Sequence, residues 1–166
     1  MRIITLALLV LICHVPANAA TDDVPFRYEI LTDKDSYRVG EYVMVILRLT
    51  NTSTNKVTVA QLHAPGAGVG VVKSDGQADE LWTFAVVRDG ESVRYAGPFK
   101  DFPPSWATVE PGKSVESRFN FNNYYDIKKA GKYILKAAHT SQPTPSDGAS
   151  WSGLVKATDK GIKITD

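Results

Sequence analysis

The sequence predicts an all-β protein, an immunoglobulin-like antiparallel β-sandwich of about seven to nine strands. Short segments alternate apolar and polar residues, as half-buried strands do. Turn-forming residues separate these segments at intervals of roughly 8–12 residues, which is typical of sandwiches. No segment has a helical hydrophobic period of any length.

The first part of the chain contains three segments with strand character. Residues 26–31 alternate, and a polar turn at residues 33–36 follows them. Residues 42–49 are mostly apolar and rich in β-branched side chains. The polar cluster at residues 51–55 then precedes an alternating segment at residues 56–60. We expect these last two segments to form a hairpin with a loop of about five residues.

Strand character continues through the middle of the chain. Residues 81–87 precede Asp89-Gly90, a strong hairpin signal, and the short segment 92–95 follows as the second strand of that hairpin. Residues 97–106 form an irregular loop with three prolines and several aromatic residues. After a short extended segment and a Pro-Gly turn, residues 114–119 alternate again.

The last part of the chain predicts two more strands. A corner begins at residues 124–126 and ends at Gly131, and residues 132–137 form the next strand. A polar excursion over residues 140–152 precedes the final strand at residues 161–164. The core candidates are the alternating apolar positions Val43, Val45, Leu47, Leu49, Trp82, Phe84, Val86, Phe119, Tyr133 and Leu135.

Residues 1–19 have the pattern of a secretory signal peptide. Arg2 precedes an apolar run at residues 3–13, and Ala17-Asn18-Ala19 supplies a small-x-small cleavage site. The run is shorter than the roughly 20 residues that span a bilayer. We therefore expect a secreted or periplasmic protein, cleaved near Ala19, whose residues 20–166 form a single domain without a membrane span.

Composition and charge exclude several classes of protein. The 19 Lys and Arg residues nearly balance 18 Asp and Glu residues, and the net charge of +1 argues against a nucleic-acid partner. A hydrophobic content of 43% excludes a wholly disordered chain. The one cysteine, Cys13, lies in the predicted signal peptide, so neither a disulfide framework nor a Cys-cluster zinc site is expected.

The sequence contains no recognisable catalytic or metal-binding motif. His63 and His139 lie in different segments without a His-Glu-x-x-His pattern, although a paired-histidine site formed by folding stays open. Ser150 and Ser152 lack the glycine spacing of a nucleophile elbow. The glycines at residues 66–70 precede no helix that could hold a phosphate. We therefore expect no enzyme, no metal and no cofactor.

A proline-rich aromatic loop is the candidate contact with a partner. Its rigid apolar residues either form an exposed binding patch or fold back over an open end of the sandwich. A second possible contact is Trp151. The loop residues singled out are Phe99, Phe102, Pro103, Pro104 and Trp106.

Seven stretches of the chain form a motif set with a characteristic order and spacing: Tyr37-x-Val39-Gly40-Glu41, Leu47-x-Leu49-Thr50-Asn51-Thr52-Ser53, Val87-Arg88-Asp89-Gly90, Tyr95-x-Gly97-Pro98, Val109-Glu110-Pro111-Gly112-Lys113-Ser114, Tyr125-Asp126-Ile127 and Gly131-x-Tyr133. In this order and spacing they resemble the N-terminal accessory domain of bacterial deuterolysin-type metalloproteases, the aspzincin or peptidyl-Lys type. The strand pattern also resembles the bacterial intracellular-proteinase-inhibitor type. The catalytic motif of the first family belongs to a downstream domain, so the resemblance assigns no catalytic residue here. The stretch at residues 65–80 is longer than the loop of that family.

Three classes of function therefore remain open. The resemblance implies a secreted, non-enzymatic module that binds or inhibits a secreted protease or another protein. A hydrolase whose site assembles only on folding would use His63 or His139 with a carboxylate. An envelope-associated or carbohydrate-binding module would make its contacts through Trp106 and Trp151. Asn51-Thr52-Ser53 also forms a glycosylation sequon, which matters only in a eukaryotic secretory pathway.

Overall fold

A computed structural model describes residues 24–65, 82–98, 105–142 and 150–166. The predicted signal peptide lies outside these residues. Eleven strands and a single turn of 3-10 helix (Phe121–Asn123) lie within them, and nine of the strands have at least four residues. The strands are β1 (Phe26–Thr32), β2 (Ser36–Arg38), β3 (Met44–Asn51), β4 (Val57–Ala60), β5 (Trp82–Arg88), β6 (Glu91–Ser92), β7 (Trp106–Val109), β8 (Ser114–Asn120), β9 (Gly131–Ser141), β10 (Gly153–Lys156) and β11 (Lys160–Thr165).

The strands form two main sheets and a two-stranded ribbon. The first sheet has the order β1-β3-β8, and the second has the order β2-β11-β9-β5-β6. Strand β10 also pairs with β9, next to the residues that pair with β11. Strands β4 and β7 form the ribbon, which belongs to neither sheet.

The two sheets pack through alternate residues of each strand. Along β3 every second residue is buried, and β9 repeats the pattern over most of its length. Of the ten predicted core residues, eight are buried and Phe84 is half-buried against them, whereas the side chain of Trp82 lies outside the described part. The eight are Val43, Val45, Leu47, Leu49, Val86, Phe119, Tyr133 and Leu135. The all-β sandwich predicted from the sequence is therefore confirmed.

A tyrosine corner supports the immunoglobulin-like character of this sandwich. Tyr133, near the start of β9, is completely buried. Its hydroxyl donates to the backbone carbonyl of Lys129, four residues upstream, at 2.8 Å. Immunoglobulin-like domains close the corner before the corresponding strand with this bond.

One strand pair is parallel, which the sequence did not predict. Strand β1 belongs to the first sheet, and after residues 33–35 the chain continues as β2 in the second sheet. Strand β2 then runs parallel to β11, with Tyr37 opposite Ile164. Both of these side chains are buried, so the crossing closes one side of the sandwich.

The predicted hairpin between residues 42–49 and 56–60 is wrong. Strand β3 pairs with β1 on one edge and β8 on the other, so no edge remains for β4. The buried side chain of Asn51 instead directs the chain away from the first sheet. Its Nδ2 donates to the carbonyls of Asn55 and Val109, and its Oδ1 accepts from the backbone and hydroxyl of Ser53. Strand β4 consequently pairs with β7.

Other element boundaries differ from the prediction. The hairpin at Asp89-Gly90 is confirmed, but its second strand pairs only over Glu91–Ser92. Strand β9 extends to Ser141, into the predicted polar excursion. Strand β10 was not predicted, because its four residues include a glycine and a lysine beside only two apolar side chains. Trp106 begins a strand and does not merely end a loop.

Candidate functional site

The predicted contact loop lies partly outside the described residues. Phe99, Phe102, Pro103 and Pro104 all fall there. Trp106 is described: it is the first residue of β7, and its side chain is 37% exposed. The structure therefore places the end of the predicted loop on the β4–β7 ribbon.

The ribbon holds the backbone around Trp106 in a defined position. Trp106 lies opposite Ala60 in the β4–β7 register. Beyond that pair, the backbone N–H of Gln61 donates to the carbonyl of Ser105 at 2.9 Å. The hydroxyl of Ser105 donates to Oε1 of Gln61 at 3.0 Å. Backbone pairing and a side-chain bond thus anchor the loop where it enters the ribbon.

Trp151 is also tied to the ribbon, but its indole is used in packing. Its backbone N–H donates to the carbonyl of Thr58 at 2.9 Å, on the edge of β4 that faces away from β7. The indole meets the ring of Phe26 edge-to-face, with centroids 5.3 Å apart. It also covers Gly153, where an added Cβ would lie 2.8 Å from the indole. The fold brings both predicted tryptophans to β4 but leaves only Trp106 exposed.

The two histidines, distant in sequence, come close together. His63 follows β4, and His139 lies on the buried face of β9. Burial lowers the pKa of His139 to about 4. The charge of His63 also lowers this pKa, whereas the backbone of Ala60 raises it. Burial also lowers the pKa of His63. The imidazole of His139 is therefore neutral at pH 7.

His139 adjoins a second buried polar side chain. Its imidazole lies 6.2 Å from the ring of Tyr28, centroid to centroid. Neither nitrogen of His139 nor the hydroxyl of Tyr28 has a hydrogen-bond partner of standard geometry within the described part of the chain, although the backbone of Ala60 lies close enough to His139 to favour the protonated imidazole. Burial raises the pKa of Tyr28, so its phenol stays protonated. The pair is buried in the sandwich, where a substrate does not reach it.

The described residues contain no group of three or more His, Cys, Asp and Glu side chains that could hold a metal ion. Ser141, two residues after His139 on β9, is 2% exposed, and its hydroxyl accepts from the backbone N–H of Ala60 at 3.0 Å. The glycines at residues 66–70 lie outside the described part. Within that part, no helix has the length and apolar character needed to cross a membrane.

The predicted glycosylation site has a structural role in the folded protein. Asn51 is completely buried, and both of its Nδ2 hydrogen bonds are to backbone carbonyls 2.8 Å away. A glycan on that nitrogen would remove one of these bonds and would need space that the fold does not provide. The bonds instead hold the turn between β3 and β4.

A shallow cavity of about 670 Å³ lies at one end of the second sheet. Strands β9 and β11 line it, with Lys132 and Lys163 among the lining residues. Sequence reasoning did not identify this region, because the two lysines are distant in the chain and each occupies an ordinary outward strand position.

No protein-family model matches the chain, and no curated protein matches it. Solved structures do match. A β-glucosidase from Erythrobacter marinus is 12% identical, with a TM-score of 0.39, and the match covers 84% of this chain and 15% of that chain. A β-glucosidase from Listeria innocua is 8% identical, with a TM-score of 0.31, covering 84% and 16%. This chain thus spans about one sixth of these enzymes, and similarities with TM-scores below 0.5 carry no functional argument.

Proposed function

We propose that this protein is a secreted, non-enzymatic binding module that contacts a secreted protease through the loop ending at Trp106. The observation that carries the proposal is the exposure of Trp106 on the β4–β7 ribbon, which lies outside both main sheets. The resemblance to the accessory domain of deuterolysin-type metalloproteases supplies the class of partner.

The local geometry of Trp106 suits a binding contact. Tryptophan is enriched among the residues that dominate the energy of protein interfaces. Its backbone is already held by the pairing with Ala60, and the adjacent Ser105 is bonded to Gln61. A pre-ordered anchor loses less conformational entropy on binding than a mobile one.

The same geometry weighs against the two alternative functions. A carbohydrate site built on two tryptophans would need a free Trp151, whereas its indole packs on Phe26 and Gly153. A hydrolase that used His139 would need substrate to reach a completely buried imidazole. A binding surface around Trp106 needs no rearrangement of either kind.

The test compares two variants for binding to a purified deuterolysin-type metalloprotease. Trp106→Ala removes the proposed anchor, and Tyr42→Ala is the control, because Tyr42 is an aromatic residue 56% exposed outside the ribbon. Truncating an interface anchor costs about 2 kcal/mol or more of binding free energy. We therefore expect Trp106→Ala to raise the dissociation constant at least roughly thirtyfold. Tyr42→Ala should bind as the wild type does. Biolayer interferometry measures both constants, and a cleavage assay shows whether binding inhibits the protease.

Two results would contradict the proposal. One is the absence of wild-type binding to proteases of the metallo and serine classes. The other is equal affinity of Trp106→Ala and the wild type. A response of the tryptophan fluorescence to cell-wall polysaccharide that Trp106→Ala abolishes would favour the carbohydrate-binding alternative instead.

A further inference from the structure

The outward face of the second sheet carries a set of cations that we call the basic face. Residues directly opposite on paired strands project to the same side of a sheet, so the register identifies which side chains share this face. Strands β9, β10, β11 and β2 all contribute to it. Its cations are Arg38, Lys132, Lys136, Lys156 and Lys163.

The charges of the basic face are only partly neutralised, since Arg38 interacts electrostatically with the carboxylate of Glu41. Lys163 lies directly opposite Lys132, a like-charge pairing that destabilises an antiparallel sheet. Within the described part of the chain neither lysine has an ion-pair partner, and the same holds for Lys156. Lys136 has one, Asp159, at 3.4 Å. At the border of the face, Asp35 pairs with Lys160.

The outward face of the first sheet is arranged differently. Arg48 and Arg118 both contact Glu116 at 2.7 Å, and Arg27 lies 3.2 Å from Glu29. Charges there are neutralised by neighbours on the same face. Excess positive charge is therefore a local property of the second sheet, in a chain whose net charge is only +1.

Between the cations the basic face has a floor of small and apolar residues. On β9, Ile134 lies between Lys132 and Lys136, and all three project outward. The neighbours of Ile134 are Val87 on β5 and Gly161 on β11. An added Cβ at Gly161 would meet nothing within 4 Å, so the floor is open at this point. The 670 Å³ cavity lies at one end of this floor, where Asp35 and Asp166 line it together with Lys132 and Lys163, so the uncompensated charge is centred on the β9 side of the face.

We infer that the basic face docks an extended acidic segment of a partner protein. Every second residue along β9 projects outward, and three consecutive outward side chains are basic, apolar and basic: Lys132, Ile134 and Lys136. An extended peptide also presents every second residue on one face, with the same repeat of about 7 Å. A segment with acidic, apolar and acidic residues at alternate positions therefore complements both the charges and the floor.

Other polyanions match this face less well. Sugar recognition uses exposed aromatic rings, and the described side chains of the basic face include none. An acidic polysaccharide also has no apolar side chain to cover Ile134 and Val87. These two residues are half-buried between charged neighbours, and Leu154 is the single exposed large apolar side chain among the described residues of this face, which is too little apolar surface to insert into a lipid layer. The inference does not depend on the proposed role of Trp106, which lies on the ribbon.

The test uses a fluorescent peptide with glutamate, leucine and glutamate at alternate positions and serine between them. Anisotropy titrations with the full chain measure its affinity for the wild type and for two double variants. We expect Lys132→Gln/Lys163→Gln to weaken binding at least tenfold, because it removes two of the facing charges. Lys56→Gln/Lys113→Gln makes the same change of net charge at two exposed turn lysines off the face, and it should leave the affinity unchanged.

Folding of the variants is checked by circular dichroism; removing the Lys132–Lys163 repulsion should not impair it. Raising the salt concentration should weaken peptide binding to the wild type more than to Lys132→Gln/Lys163→Gln. The inference is overturned if the peptide does not bind or if both double variants lose affinity equally. It is also overturned if polygalacturonate or vesicles of anionic lipid bind more tightly than the peptide. Unchanged protease binding in Trp106→Ala, which would contradict the proposed function, would leave this outcome unaffected, so the two proposals fail separately.

Discussion

A single buried histidine, His139 beside Tyr28, can make the stability of the fold sensitive to acid. Both lie in the interior with polar atoms that have no partner among the described residues. An unsatisfied buried polar group costs about 1–3 kcal/mol. The neutral imidazole is the less costly form there, which is why the pKa of His139 falls to about 4.

The protein should therefore lose stability in mild acid. The pKa of His139 is about 4 in the folded protein and 6.5 in the unfolded chain. The stabilising contribution of the neutral His139 to the folded state is fully present above pH 6.5. It is lost as the pH falls from 6.5 to about 4, because only the unfolded chain binds the proton readily in this interval. This difference corresponds to about 3 kcal/mol of unfolding free energy. Urea unfolding at a series of pH values between 7 and 4 measures it.

Two variants identify the group responsible for this pH dependence. His139→Phe keeps a planar ring but cannot titrate, so its stability should change little between pH 6.5 and 4.5. His63→Gln should keep most of the wild-type dependence, since His63 is only partly buried. An unchanged acid loss in His139→Phe would contradict the assignment. Hydrogen bonds from Arg118 and Arg48 lower the pKa of the Glu116 carboxyl, so Glu116 is not the source of a loss of stability at the histidine end of this interval.

At the scale of elements, the turn at Asp89-Gly90 shows what local sequence can specify. Both residues have positive φ, at 48° and 92°, as the tight turn of a two-residue hairpin requires. Asp89 also joins the turn to β9: its backbone N–H donates to the carbonyl of Lys132, and its Oδ1 accepts from that residue's N–H, both at 3.0 Å. A side chain at Gly90 would be strained although space is open around it.

Gly90→Ala should accordingly lower the free energy of unfolding by about 1–2 kcal/mol. Gly161→Ala is the matched control, because Gly161 also has open space around it but no positive φ. That variant should be neutral or slightly stabilising, since alanine restricts the unfolded chain. Chemical denaturation of both proteins measures the difference. Equal effects of the two substitutions would show that backbone strain at Gly90 is not the cause.

The two hairpin predictions differ in outcome for a physical reason. The Asp89-Gly90 hairpin depends on backbone conformations that two adjacent residues determine, so a local pattern suffices. The turn at residues 51–55 is equally polar, but the partners of β3 come from distant parts of the chain. Asn51 also bonds to Val109, 58 residues away, and no local pattern reveals such a contact.

At the scale of the molecule, a continuous core joins the two sheets without help from disulfides. Leu135 on β9 and Leu47 on β3 are both completely buried. Leu135→Ala should lower the free energy of unfolding by about 2–5 kcal/mol, through lost burial and the cavity that remains. Leu154→Ala removes the same atoms from a residue that is 49% exposed, so its effect should be under about 1 kcal/mol.

Both leucine variants should unfold in a single transition. Tryptophan fluorescence and far-ultraviolet circular dichroism should report the same midpoint, as expected when one core holds the whole domain. Separate midpoints for the two signals would mean that the sheets unfold independently. A large loss in Leu154→Ala would mean that its strand β10 has a greater stabilising role than its exposure indicates.

The candidate site could be predicted only in part. The sequence left open whether the aromatic residues of the segment 97–106 are exposed or fold back over the sandwich, and Trp106 is exposed as the first residue of β7. Trp151 looked equivalent in the sequence, but packing against Phe26 gives it a different role. The basic face was not expected, because its lysines come from separate strands and only the register places them together.

The sequence by itself determined the fold class, most of the strands and most of the core. These properties follow from the alternation of apolar residues and from turn chemistry, which act over a few residues at a time. Only the tertiary structure decided which strands pair, which tryptophan stays exposed, that His139 is buried beside Tyr28, and that Lys132 faces Lys163. Those outcomes depend on contacts between residues far apart in the chain, where many pairings satisfy the same local pattern and the packing of the whole domain selects one.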